Sequence, residues 1–161
     1  MDTISETRLA EVHSELSRRI HQLAALLSFP VRVTQGYRSY PQQAALYAQG
    51  RTAPGPIVTN AKPEQSAHCF LYAVDLVPMS AAGQPDWNDK DAQWAEMLAK
   101  APSCGLAEGA EWRSFPDFPH FYLQELPATP DAELVYVFTE GGLAAVSQLL
   151  DTRLAAQNAA H

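Results

Sequence analysis

Ala73-Val74-Asp75-Leu76-Val77 is an apolar run with one carboxylate inside it, bounded by Pro78. Its aliphatic content reads as a central strand. A buried carboxylate without a partner is expensive, so Asp75 demands a cation or several donors nearby. Upstream, Val31-Arg32-Val33-Thr34-Gln35 alternates apolar and polar side chains and predicts a short strand with one buried face, ended by Gly36. Downstream, residues 118–123 predict another strand, since Pro116 and Pro119 block a helix.

Helices surround these strands. Leu9, Val12, Leu16, Ile20, Leu23 and Leu27 recur at steps of three and four, which predicts one amphipathic helix of about five turns. Ser5 or Thr7 is its expected cap, and Phe29-Pro30 its stop. Ser39, Pro41 and Gly50 give the cap, proline and glycine order of a short second helix around residues 42–49. Residues 52–63 carry Pro54, Gly55, Pro56 and Pro63 and predict an extended loop. Gly83-Gln84-Pro85-Asp86 predicts a turn, followed by a helix capped by Asn88, with Asp89 and Asp91 in its first turn and Trp94, Leu98 and Ala101 facing inward. Past a loop at Pro127 and Pro130 and a short apolar run over 134–138, Leu143, Val146, Leu149, Leu150 and Leu154 mark a C-terminal helix of about residues 141–157. Its end, 155–161, is expected to fray. Helices around strands without regular helical crossovers predict one α+β domain over 1–161, with a small, mainly antiparallel sheet.

The 161 residues, 47% hydrophobic and 18% charged, suffice for one folded core. A net charge of -7, from 11 Lys plus Arg against 18 Asp plus Glu, argues against nucleic acid as a partner, because neutralising phosphates requires a basic surface. Cys69 and Cys104 are too few for a disulfide scaffold and form no Cys-x-x-Cys pair. No transmembrane segment is expected, since no stretch approaches about 18 apolar residues. The opening Met1-Asp2-Thr3-Ile4-Ser5-Glu6 has neither a basic nor an apolar signal region, so synthesis in the cytoplasm without a signal peptide is the expectation.

Three features carry the chemistry: Ser66-Ala67-His68, then Asp75, then Asp117-Phe118-Pro119-His120. Two imidazoles and one carboxylate suit a zinc ion and leave its fourth position open, the count of a catalytic site. A straight strand would hold His68 and Asp75 about 23 Å apart, so sharing a metal requires residues 69–73 to fold back. In the second cluster Pro119 keeps Asp117 and His120 on an extended or turn segment, where one can bind metal and the other touch its water. His13, His21 and His161 read as solvated, Cys69 as pointing away from the metal, and Trp87, Trp94 and Trp112 as core or rim.

The segments Gly36-Tyr37-Arg38-Ser39, Pro54-Gly55-Pro56-Ile57-Val58-Thr59-Asn60-Ala61, Ser66-Ala67-His68, Ala73-Val74-Asp75-Leu76, Asp86-Trp87 and Phe115-Pro116-Asp117-Phe118-Pro119-His120-Phe121 follow in characteristic order and spacing. In them the chain resembles the zinc D-Ala-D-Ala carboxypeptidase/L-alanyl-D-glutamate peptidase family, of peptidase M15 type, and looks most like its branch of phage endolysins and cell-wall endopeptidases. The resemblance covers about residues 30–124. It implies a zinc site at the sheet edge with His68, Asp75 and His120 as ligands, Asp117 as general base, Arg38 facing the substrate carbonyl, and Ser66 as a supporting polar residue at the substrate. It also implies hydrolysis of the L-alanyl-D-glutamate bond in peptidoglycan stem peptides by a monomer that reaches the wall after release. A D-Ala-D-Ala carboxypeptidase or dipeptidase, and a non-catalytic zinc-stabilised peptidoglycan-binding module, are the alternatives. Two positions depart from the family. Leu71 stands where glycine is usual, so a rearranged turn that still delivers both ligands is expected; and 107–112 replace a glycine-rich stretch.

Overall fold

In the computed structural model, which describes residues 1–110, 112–113 and 115–159, the run around Asp75 is an inner strand. The strands β1 (Val31–Gln35), β2 (Ala73–Pro78), β3 (Leu106–Gly109) and β4 (Asp117–Leu123) form one antiparallel sheet in the order β1-β2-β4-β3. Hydrogen bonds to β1 on one side and β4 on the other satisfy the main chain of β2, which lets Val74, Leu76 and Val77 lose all contact with water. Strand β3 has no apolar alternation, which hides it in the sequence; pairing with β4 makes it a strand.

Five helices accompany the sheet among the described residues. The single helix expected from the first apolar stripe is two, α1 (Thr3–Leu9) and α2 (Ser14–Leu26). Asp2, and not Ser5 or Thr7, caps α1, accepting from the Ser5 amide at 2.9 Å. His13 restarts the chain as cap of α2: its Nδ1 accepts from the Glu15 amide at 3.3 Å, and its own amide donates to the Leu71 carbonyl at 2.9 Å. The reading of His13 as solvated is therefore corrected, since it is buried with Nε2 3.2 Å from Asp151. A stripe at helical period survives a one-turn dislocation between two helices that face the same core, so periodicity alone could not show the break.

The helix α3 (Tyr40–Ala48) matches its signals: Ser39 and Gln42 form a capping box, Pro41 lies in the first turn, and Gly50 adopts φ 74° beyond the end. The helix α4 (Ala92–Lys100) starts later than expected, because Asn88 donates its side-chain amide to Asp91 and Asp91 is the capping residue. The apolar run at 134–138 and the expected C-terminal helix belong to one element, α5 (Ala132–Asn158), capped by Asp131 and broken at Gly142 (φ 64°, ψ −161°). Its helical path continues through 155–158 where fraying was expected. None of these helices is long and apolar enough to cross a membrane.

The core closes around Leu16, Ile20 and Leu23 of α2, Trp94 and Met97 of α4, Phe121 of β4, and Phe70 and Tyr72 just before β2. One charged side chain crosses it. Arg19 donates to Glu15 at 2.8 Å, to both carboxylate oxygens of Glu125 at 2.8 Å, and to the Gly105 carbonyl at 2.6 Å, joining α2 to the residue before β3 and to the chain just past β4. Hydrogen bonds from Arg18, then Arg19, hold the Glu15 carboxyl down at about 2. A depressed carboxyl stabilises above its ordinary value of 4.5, and that contribution is lost as pH falls through about 2. Replacing Arg19 by Met leaves Glu125 and the Gly105 carbonyl without their donor, and should cost about 3 kcal/mol at neutral pH. Urea unfolding of Arg19→Met should show this loss at pH 7, and only the part that comes from the Arg19–Glu15 bond should shrink as pH falls from 4.5 toward 2, since Arg18 still holds the Glu15 carboxyl down in the variant.

Candidate active site

Strand register builds two thirds of the group that could hold a metal. In the β2–β4 ladder Ala73 faces Tyr122, Val74 faces Phe121, and Asp75 faces His120. Directly opposed residues project from the same face, so the pairing alone brings this carboxylate and imidazole together. The edge that the site occupies is the end of this ladder, between the two inner strands. His68 arrives from a 3₁₀ turn, Ala67–Phe70, after which the chain reverses at Leu71. The reversal is not rearranged to avoid the left-handed region: Leu71 itself adopts φ 68° and ψ 2°, where a side chain costs about 1–2 kcal/mol. The hydrogen bond from the His13 amide to the Leu71 carbonyl, and the fully buried Tyr72 that follows, hold the turn in place.

The three side chains converge on one point. His68 Nε2 lies 3.2 Å from Asp75 Oδ1 and 3.1 Å from His120 Nδ1, and His120 Nδ1 lies 3.6 Å from Asp75 Oδ1. The other nitrogen of His68, Nδ1, is 2.9 Å from the Gly36 carbonyl. A carbonyl only accepts, so Nδ1 carries the proton and the Nε2 lone pair aims inward. A tetrahedral metal with bonds of about 2.0–2.1 Å separates its ligand atoms by about 3.3 Å, the spacing seen here, so the residues fit a metal ion. Burial alone would raise the Asp75 carboxyl, but the imidazoles, His68 foremost, outweigh it and keep the group well below the ordinary carboxylate range. Burial lowers His120, favouring the neutral ring that ligation needs.

A cleft of about 670 Å³ opens over this group. Arg38, Ser66 and Asp117 all line it. Asp117 starts β4, and burial, followed by the charge of Asp75, pushes its carboxyl up. Arg38 binds the His68 carbonyl through its main-chain amide at 3.2 Å, and its guanidinium lies 3.6 Å from Asp75 Oδ2. Ser66 is buried at the start of the 3₁₀ turn, where its carbonyl accepts from the Cys69 amide at 2.9 Å. Burial pushes the Cys69 thiol up to about 11, so it stays protonated and outside the ligand group. His21 is exposed, 3.0 Å from Glu6, and His161 lies outside the described residues. Trp87 is exposed and Trp94 is core, whereas Trp112 forms the rim, its ring centroid 4.9 Å from that of His120.

Sequence reasoning missed three supports. Gly36 supplies the carbonyl that orients His68, and a Cβ there would come within 2.6 Å of the Arg8 carbonyl. At Gly109 a Cβ would lie 2.8 Å from the Asp117 carbonyl, so only glycine lets β3 press against the start of β4. Gln43, read only as part of α3, accepts from Arg38 at 2.7 Å.

Residues 59–123 match the family described as D-alanyl-D-alanine carboxypeptidase, of peptidase M15 type. The chain is 30% identical over 119 residues to the L-alanyl-D-glutamate peptidase of Escherichia phage T5, covering 71% of this chain and 82% of that protein. The chain belongs to the M15 peptidase family. It is 34% identical over 104 residues to another relative, the peptidoglycan L-alanyl-D-glutamate endopeptidase CwlK of Bacillus subtilis (strain 168), covering 60% of this chain. The match spans 62% of that relative's length, somewhat under two thirds. The crystal structure of the Serratia marcescens L-Ala D-Glu endopeptidase ChiX matches with a TM-score of 0.60 at 26% identity, over 76% of this chain and 88% of that one. The family's α+β architecture is thus the frame on which the histidine and aspartate group stands.

The Leu71 turn yields a stability prediction. Leu71→Gly relieves the left-handed strain but loses packing and gains unfolded-state freedom, so unfolding free energy should change by less than about 1 kcal/mol. Leu71→Val places a β-branched residue at the same φ and should cost about 1–2 kcal/mol, read as a lower urea midpoint.

Proposed function

We propose that this chain is a zinc-dependent peptidoglycan peptidase that hydrolyses the L-alanyl-D-glutamate bond of cell-wall stem peptides. The observation that carries the reading is the convergence of His68 Nε2, Asp75 Oδ1 and His120 Nδ1 within 4.8 Å of one another beneath an open cleft. Two imidazoles and one carboxylate are a zinc-type donor set that leaves a position free. The named activities of the phage T5, Bacillus subtilis and Serratia marcescens relatives support the choice of bond.

His68, Asp75 and His120 would hold the zinc ion, which supplies Lewis acidity toward a carbonyl oxygen and a water molecule. Asp117 takes the proton of the attacking water and passes it to the leaving amine. Its burial suits this role, because a carboxylate raised from its ordinary value is a stronger base. Arg38 brings a positive charge to the carbonyl oxygen as it becomes an oxyanion; one such preorganised donor is worth roughly 3–4 kcal/mol. Ser66 supports the peptide on the wall of the cleft.

Mass spectrometry of peptidoglycan incubated with the protein, with and without chelator, tests the reaction. A new free amino group on D-glutamate that disappears with chelator is the expected product. Release of D-alanine would transfer the chain to the carboxypeptidase reading, and absence of any product to the binding-module reading. Two variants separate the roles. Asp117→Asn should keep one zinc per chain while hydrolysis falls by about 10²–10⁴-fold, whereas His120→Ala should lose zinc and activity together, both followed by elemental analysis and turnover.

A further inference from the structure

We infer that Gln43 is a positioning residue for Arg38, fixing its guanidinium at the cleft and tying it to residues 59–61. The inference rests on the reading of Arg38 as the group that faces the substrate carbonyl. The Gln43 side chain is wholly buried on α3, where helix packing alone would call for an apolar residue. A buried amide is tolerated when its donors and acceptor are paired. Here Oε1 accepts from Arg38 Nη1 at 2.7 Å, while Nε2 donates to the Ala61 carbonyl at 2.8 Å and lies 3.5 Å from Thr59 Oγ1. A guanidinium only donates and a carbonyl only accepts, so the partners dictate which way the amide faces.

No other described contact of the guanidinium does this work. The main-chain bond from Arg38 to the His68 carbonyl fixes its backbone only. Among the described residues Nε is buried without a partner, and the remaining neighbour is Asp75 Oδ2 at 3.6 Å. A cation bound by Asp75 would oppose that attraction by repelling a second positive charge. Gln43 supplies the lasting restraint, and being neutral it holds the guanidinium without cancelling its charge. The same amide grips the Ala61 carbonyl, and Thr59, Asn60 and Ala61 line the cleft together with Arg38. The segment beside the bound peptide and the group that faces its carbonyl are thus joined through one side chain.

The test compares Gln43→Met, close to Gln in volume, in the parent and in an Arg38→Met background. Both are assayed on a synthetic stem peptide containing L-Ala-D-Glu. In the parent, kcat should fall on the order of 10–100-fold, less than loss of a whole oxyanion donor, with KM within about 3-fold and zinc content unchanged. In the Arg38→Met background the further loss should be under about 2-fold, because a positioning residue has nothing left to position. Equal losses in both backgrounds would overturn the inference. A second readout needs no turnover: nitrogen-15 NMR of the zinc-loaded protein, in which Asp75 is engaged by the cation, should show restricted rotation of the Arg38 guanidinium in the parent and in Gln43→Glu, which keeps an acceptor, and free rotation in Gln43→Met. Restricted rotation in Gln43→Met, or free rotation in the parent, would also overturn it. If the parent leaves the peptide intact, the substrate reading fails, and the guanidinium measurement decides the role of Gln43 by itself.

Discussion

The antiparallel register that sets Asp75 opposite His120 is the constraint on which the rest of the site depends. Side chains alternate faces along a strand, so a slip of one residue between β2 and β4 would send one of the pair to the other face. The slip is prevented by what flanks the pair. Val74 faces Phe121 and both are sealed in the core, so a register error would also drive apolar side chains out of it. The sheet therefore specifies the Asp75 and His120 pair with the same residues that stabilise the fold.

His68 has no such ladder, and its position is secured by less regular means. Its ring is oriented by the Gly36 carbonyl, at the end of β1, and its main-chain carbonyl accepts from the Arg38 amide. The turn beyond it depends on a residue in a left-handed conformation, tied through the His13 amide to the start of α2. Helix α2, strand β1 and the turn that carries His68 thus share a small set of hydrogen bonds. An unfavourable Leu71 conformation can persist there because its neighbours over-determine it.

What was legible in the sequence follows from this division. The α+β class, strands β1, β2 and β4, and helix α3 could be read because each has a local signature: alternation, a capping box, or a carboxylate inside an apolar run. That His68, Asp75 and His120 form one group was what the family resemblance implied, since local pattern left Asp117 and His120 interchangeable. Expectations failed where a tertiary contact decides the matter. His13 looks like a surface histidine until the Leu71 carbonyl and Asp151 are placed beside it. The four residues of β3 carry no pattern of their own and become a strand only because Gly109 lets them close on Asp117. Gln43 follows the exposed Gln42 in a helix with no clear apolar stripe, and only the fold turns it inward toward Arg38. Residues 107–112, where the family's glycine-rich stretch is altered, retain Gly109, the glycine that this close approach requires.

The charge distribution adds a final step. The protein as a whole carries a net charge of -7, yet its cleft places Arg38 and Arg113 around a group that would hold a divalent cation, against the two carboxylates of Asp75 and Asp117. With such a cation bound, the cleft would be positive inside an acidic protein. In salt near 0.15 M, charges are screened over about 8 Å, so the global negative charge acts weakly at the cleft while the local positive charge acts strongly. An anionic peptide would then be attracted only over the last few ångströms of approach, and an anionic polymer surface would not be attracted at long range. Any attraction of an anionic ligand would therefore be local to the cleft and not a property of the surface that surrounds it.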